Sequence, residues 1–125
     1  MQGRPSLLLV EDELLIRVSL ADALEDAGYA VTESGSGEDA IAQLERFTFA
    51  AVITDIRLGT GPSGWDVARS ARQRHPSMAV VYMTGDSAAD WASQGVPSSV
   101  MVQKPFAMAQ LITAVSSLSV SAATF

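Results

Sequence analysis

The feature that most constrains this chain is an alternation of short, solid apolar runs with longer stretches of helical periodicity. Leu7–Val10 (LLLV), Ala50–Thr54 (AAVIT) and Ala79–Met83 (AVVYM) are apolar at nearly every position, and Val100–Val102 (VMV) repeats the pattern. A strand that faces water on one side alternates polar with apolar residues, whereas a strand covered on both sides does not. Between the runs, apolar residues recur at three- and four-residue intervals. Ile16, Leu20, Ala23, Leu24 and Ala27 form one such stripe, closed by Gly28. Ala40, Ile41, Leu44 and Phe47 form a second, for which Ser36 is placed to cap the helix start. A weaker strand, Ala30–Glu33, lies between them. Further helices are expected from Trp65 to about Arg74, ended by Pro76, from Asp86 to Gln94, closed by Gly95 and Pro97, and from Phe106 to Leu118.

Five strands alternating with five helices predict an α/β fold, a parallel sheet with helices on both faces. The 125 residues suffice for one domain, with its core at about 6–118 and a short tail, 119–125, expected to fray. There is neither an internal repeat nor a linker. No apolar run has the ~20 residues of a membrane span, and the start MQGRPS lacks a signal-peptide core. A net charge of −6 argues against nucleic acid, whose phosphates need a basic face. The absence of cysteine excludes disulfides and thiolate metal sites and fits a cytoplasmic location. Proteins are therefore the expected partners.

The stretch SLLLVEDELLI places Glu11, Asp12 and Glu13 directly after the first apolar run. In open parallel sheets ligands bind beyond the carboxyl ends of the strands. On that edge the first strand delivers Glu11 and Asp12, the third Asp55, the fourth Thr84 and the fifth Lys104. Glu11 and Asp12 could instead serve the first helix, whose positive end favours acids, and Asp55 or Thr84 could be ordinary turn residues. The set taken together argues otherwise. Two unit charges ~5 Å apart at an effective dielectric of ~20 repel by roughly 3 kcal/mol. One lysine does not offset three acids, whereas a hard divalent cation such as Mg²⁺ does. The chemistry this suggests is phosphoryl transfer to a carboxylate.

These residues resemble the receiver domain of two-component response regulators, over Leu7 to about Leu118. The resemblance is carried by the acids of LLLVEDE, the aspartate of VITDIRL, the threonine of VVYMTGD and the lysine–proline of VQKPF. It implies a flavodoxin-like sheet of strand order 2-1-3-4-5 and Asp55 as phosphoacceptor. It further implies Glu11, Asp12 and Asp55 as Mg²⁺ ligands, directly or through water, with the main-chain carbonyl of Arg57 completing the shell. Thr84 would sense the phosphoryl group and Lys104 pair with it, and the Lys104–Pro105 bond would be cis. The implied partner is a histidine kinase or a histidine phosphotransfer protein. The implied role is a signalling switch rather than an enzyme, acting through the face of the fourth helix, fifth strand and fifth helix, which carries Trp91, Met101, Pro105 and Phe106. With no output segment in the sequence, a stand-alone regulator is expected. The alternatives are a receiver module of a hybrid histidine kinase or longer regulator, and a non-phosphorylated binding module.

The chain departs from the family pattern in three places. The loop IRLGTGPSGWD after Asp55 is about one residue longer than usual and lacks the methionine–proline turn. Met101 stands where an aromatic switch residue is common. Arg57 and Asp86, two positions beyond Asp55 and Thr84, are expected to pair across the mouth and modulate phosphoryl lifetime. Gly59–Gly64 spells G-x-G-x-x-G, but it does not join strand directly to helix and Pro62 removes an amide, which argues against a dinucleotide loop. Arg57 also stands where aspartyl-phosphate hydrolases carry their second acid. His75, alone beside Pro76, reads as a surface residue.

Overall fold

The four apolar runs become strands because each can be covered on both faces. In the computed structural model, which describes residues 3–123 with side chains to Leu118, β1 is Ser6–Val10, β2 Ala30–Ser34, β3 Ala51–Asp55, β4 Ala79–Thr84 and β5 Val100–Gln103. All pairings are parallel and the order is β2-β1-β3-β4-β5. Every residue of β3 and β4 is buried. The edge strand β2 is mostly not buried, which explains its weaker apolar signal.

The helices are α1 (Leu14–Asp26), α2 (Gly37–Arg46), α3 (Gly64–Arg74), α4 (Trp91–Gln94) and α5 (Met108–Ala123). Alternate strand residues divide the core in two. Leu7, Leu9, Ile53, Val81 and Met83 pack with Leu20, Leu24, Leu111 and Val115 of α1 and α5. Leu8, Val10, Val52, Val80 and Tyr82 pack with Ala40, Leu44, Val67, Ala68 and Ala71 of α2 and α3. Burying a Leu or Val side chain contributes about 1.5–3 kcal/mol, so this two-sided burial dominates the stability of the sheet.

Local signals set the ends. The Ser36 Oγ accepts from the Asp39 N–H at 3.0 Å, capping α2. Ser63 and Asp66 form a capping box at α3. Gly28, with φ +105°, follows α1 as expected.

Four expectations are corrected. On α1 the buried residues are Leu20, Ala21 and Leu24, while Ile16 and Ala27 are exposed. The expected stripe mixed core positions with surface ones, because α1 also carries exposed Leu14, Leu15 and Val18. The helix expected over 86–94 is a 3₁₀ turn, Ala88–Asp90, followed by the single turn of α4. The last helix starts at Met108 rather than Phe106. It runs on to Ala123 rather than ending at Leu118, since small residues do not break a helix; the end of the expected tail, 124–125, lies outside the described residues.

Candidate functional site

Parallel register brings the strand ends to one level, because Val10 pairs with Thr54, Asp55 with Met83, and Thr84 with Gln103. The residues that follow β1 and β5, and the last residue of β3, therefore meet at one mouth. Oxygens of Glu11, Asp12 and Asp55 lie within 4.8 Å of one another. Glu11 and Asp55 are buried, whereas Asp12 stands at the rim. Lys104 reaches in from the far side, with Nζ 2.9 Å from Asp55 Oδ2 and 3.4 Å from Glu11 Oε1. The Lys104–Pro105 peptide is cis, as expected.

Burial pushes the Glu11 carboxyl above its ordinary range, and the nearby Asp55 charge adds to this. The Glu13 N–H, bonded to Glu11 Oε2 at 3.1 Å, and the Lys104 ammonium oppose it. Burial works against the charge on Lys104, but its bonds to Asp55 and Glu11 outweigh that and hold the ammonium above its usual value. The cluster remains short of positive charge, with one ammonium against three carboxylates. Oxygen donors in this number and spacing suit Mg²⁺, a hard cation that keeps several of its own waters. The residues present thus fit such an ion.

Thr84 is 1 % exposed, and its Oγ1 accepts from the Ser87 N–H at 2.8 Å and the Asp86 N–H at 3.3 Å. Accepting twice leaves the hydroxyl proton free to donate. Arg57 Nε lies 2.7 Å from Asp86 Oδ2 at the surface, the pairing expected from the sequence. The Arg57 guanidinium holds the Asp86 carboxyl below the usual carboxylate range, and the Ser87 hydroxyl assists.

The glycine-rich loop has a steric explanation. A Cβ on Gly64 would collide with the Asp55 carbonyl and one on Gly37 with the Pro62 carbonyl, so the loop lies against both β3 and α2. The Gly64 N–H donates to the Ile56 carbonyl at 2.8 Å, and Gly59 and Gly61 take φ of +78° and +88°. Its glycines allow a tight return beside Asp55.

Met101 packs against the cluster that holds Trp65, Tyr82 and Val96. Tyr82, its register partner, is a residue the sequence reading passed over. Its ring centroid lies 4.8 Å from that of Trp65, and its hydroxyl accepts from the Val96 N–H at 3.0 Å. Only its place two residues before Thr84, on the same strand face, pointed to it. Trp91 donates from Nε1 to Ser99 Oγ at 3.0 Å, and Phe106 packs on the α1–α5 side. Beside the mouth, Ile16, Leu20, Lys104, Pro105, Phe106 and Met108 line a largely apolar groove. His75 is exposed at the end of α3. Among the described residues no helix is long and apolar enough to cross a membrane.

Comparison with known proteins agrees with this geometry. The family described as response regulator receiver domain matches residues 7–116. The chain is 30% identical over 118 residues to the response regulator receiver protein CpdR of Brucella abortus, covering 93% of this chain and 98% of CpdR. It is 42% identical over 91 residues to the alginate biosynthesis transcriptional regulatory protein AlgB of Pseudomonas aeruginosa, spanning 73% of this chain and only 20% of AlgB. Among solved structures, a response regulator receiver protein from Sinorhizobium medicae WSM419 superposes with a TM-score of 0.91 at 45% identity, covering 93% of this chain and 94% of that one. The magnesium-bound receiver domain of the sensor histidine kinase PA1611 from Pseudomonas aeruginosa shares the fold, at TM-score 0.81 and 23% identity over 94% of this chain and 98% of that one.

Proposed function

The chain belongs to the response regulator receiver family, and from that premise we propose that it is a signalling switch phosphorylated on Asp55 with Mg²⁺. The observation that carries the reading is the placement of Asp55, buried beside two further acids and bonded to Lys104. Glu11, Asp12 and Asp55, with the main-chain carbonyl of Arg57, would hold Mg²⁺, which when bound neutralises charge on the phosphoryl oxygens. An Asp55 oxygen attacks the phosphorus of a phosphohistidine; the P–O bond forms as the P–N bond breaks, and the electron pair leaves with the imidazole nitrogen. Lys104 stabilises the transferred group, and the Thr84 hydroxyl donates to one of its oxygens. Hydrolysis of the acyl phosphate later restores the carboxylate.

The donor is a histidine kinase or a histidine phosphotransfer protein, and the exposed Leu14 and Leu15 with the groove at Pro105 and Phe106 offer it an apolar rim. A donor histidine must come within bonding distance of Asp55, so its carrier has to rest on this rim. The reading makes the chain a single receiver domain in the cytoplasm that regulates protein partners through α4, β5 and α5. Like CpdR, the chain would act as a stand-alone regulator; a receiver module of a longer protein, as in the 20% of AlgB that it spans, is the second reading. Incubation with acetyl phosphate and Mg²⁺, followed by intact mass, tests the assignment. One phosphoryl group should appear on the native chain and none on Asp55→Ala. An unmodified native chain would instead favour a binding module that keeps only the fold.

A further inference from the structure

Arg17 is a cation beside the acidic turn, bonded to its backbone and to none of the mouth's carboxylates. It lies in the first turns of α1, and its side chain is 18% exposed. Its Nη1 donates to the main-chain carbonyl of Glu11 at 3.0 Å, and its Nε donates to Glu33 Oε1 of β2 at 3.1 Å. A Cβ on Gly35 would lie 2.9 Å from Nη1, so the absence of a side chain there makes room for the guanidinium. The end of β1, the end of β2 and the loop after it thus form a slot around one arginine.

The slot acts on the residue that begins the acidic turn. Glu11 donates its N–H to the Ser34 carbonyl at 3.1 Å, and its Oε2 is held by the Glu13 N–H. Lys104 takes its Oε1, and Arg17 holds its carbonyl, which belongs to the peptide joining Glu11 to Asp12. The plane of that peptide sets the direction in which Asp12 leaves the strand. We propose that Arg17 is a positioning residue for the cation site, fixing the Glu11–Asp12 peptide so that both carboxylates enter the mouth. The inference rests on the Mg²⁺ reading above.

Its sign separates it from a simple electrostatic role. A guanidinium that served only as counter-charge to the acids would repel a divalent cation, and its removal would tighten cation binding. A positioning guanidinium does the opposite, since loss of the groups that orient metal ligands typically weakens binding about 10–100-fold. Glu33 serves as the control, because in Glu33→Gln the bond from Arg17 to the Glu11 carbonyl remains. The double variant Arg17→Met with Glu33→Gln keeps the native net charge of −6, since one positive and one negative charge are both lost.

The test is Mg²⁺ affinity by isothermal titration calorimetry on the full chain, with a thermal melt of each variant in chelator. Arg17→Met and the double variant should bind Mg²⁺ about ten-fold more weakly, and Glu33→Gln within about two-fold of native. Affinity that is unchanged or higher in Arg17→Met would overturn the inference, even with a lowered melting temperature. If Arg17→Met shows no cooperative melt, Arg17→Gln takes its place with the same two outcomes. A native chain that binds no Mg²⁺ would instead overturn the cation reading itself, and the inference with it.

Discussion

Lys104 Nζ spans two acids of the mouth, 2.9 Å from Asp55 Oδ2 and 3.4 Å from Glu11 Oε1. One ammonium thereby serves carboxylates from two strand ends and leaves the third, Asp12, exposed at the rim. Glu11 is the strained member, since burial and the nearby Asp55 charge push its carboxyl above the ordinary range. Glu11→Gln, which removes a buried charge while keeping its shape, should raise metal-free stability by about 1 kcal/mol. Urea denaturation in chelator checks this. In saturating Mg²⁺ the advantage should reverse, because the native chain gains more from binding the ion.

The Arg57–Asp86 pair at the mouth is exposed on both sides, 75% and 56%, so it contributes ~0–1 kcal/mol to stability. Its effect should be kinetic, by restricting the water that reaches the phosphoryl group. Arg57→Ala should change the lifetime of the phosphorylated form about three-fold or more, ~0.7 kcal/mol or more in barrier. Mg²⁺ affinity should stay within about two-fold, or ~0.4 kcal/mol. Dephosphorylation followed by intact mass, with chelator added after loading, gives the lifetime; equal values in variant and parent would end the idea.

The capping box of α3 predicts a pH dependence. The Ser63 N–H, donating to Asp66 Oδ2 at 2.9 Å, holds the Asp66 carboxyl below its ordinary value of 3.8, aided by Arg69. A depressed native value means the contribution is complete above the unfolded-state value and is lost as pH falls through the native one. Asp66→Ala should therefore cost about 1 kcal/mol at pH 7, with the difference shrinking as pH drops below 3.8. Paired melts across that range measure it.

A set of hydrogen bonds runs from Tyr82 of β4 toward the expected output face. Tyr82, two residues before Thr84 on β4, holds the Val96 N–H through its hydroxyl; Ser99 Oγ donates to the Val96 carbonyl at 2.6 Å and accepts from Trp91. Beryllofluoride with Mg²⁺ should accordingly shift the emission of Trp91 in a Trp65→Phe background. Tyr82→Phe, which leaves the buried Val96 N–H without its partner, should reduce that shift by about half or more and destabilise the chain by about 1–3 kcal/mol. An undiminished shift would place the route elsewhere.

The sheet and the mouth were legible because they rest on strong local signals. Unbroken apolar runs mark β1, β3 and β4, and the polar residue ending each run has only one edge to occupy. The surface of α1 was less legible, since exposed Leu14, Leu15 and Ile16 look the same in sequence as buried Leu20 and Leu24. The segment after Thr84 has helix-like composition, yet its contacts run to α3 through Arg69, which donates to the Gln94 carbonyl, and Arg72, which donates to the Pro97 carbonyl. Such long-range side-chain bonds leave no periodicity to read. Arg17 escaped for a related reason: a lone arginine on a helix looks solvated until the strand ends beside it are in place.

In the proposed function a cation enters the acid mouth before Asp55 takes up phosphorus. The rate of phosphoryl gain from acetyl phosphate, followed by intact mass against Mg²⁺ concentration, tests this most directly. The expected result is a saturating rise from a negligible rate in chelator, with saturation lost in Asp12→Asn. Equal phosphorylation in chelator and in Mg²⁺, or full gain in a chain lacking the Asp55 carboxylate, would contradict it.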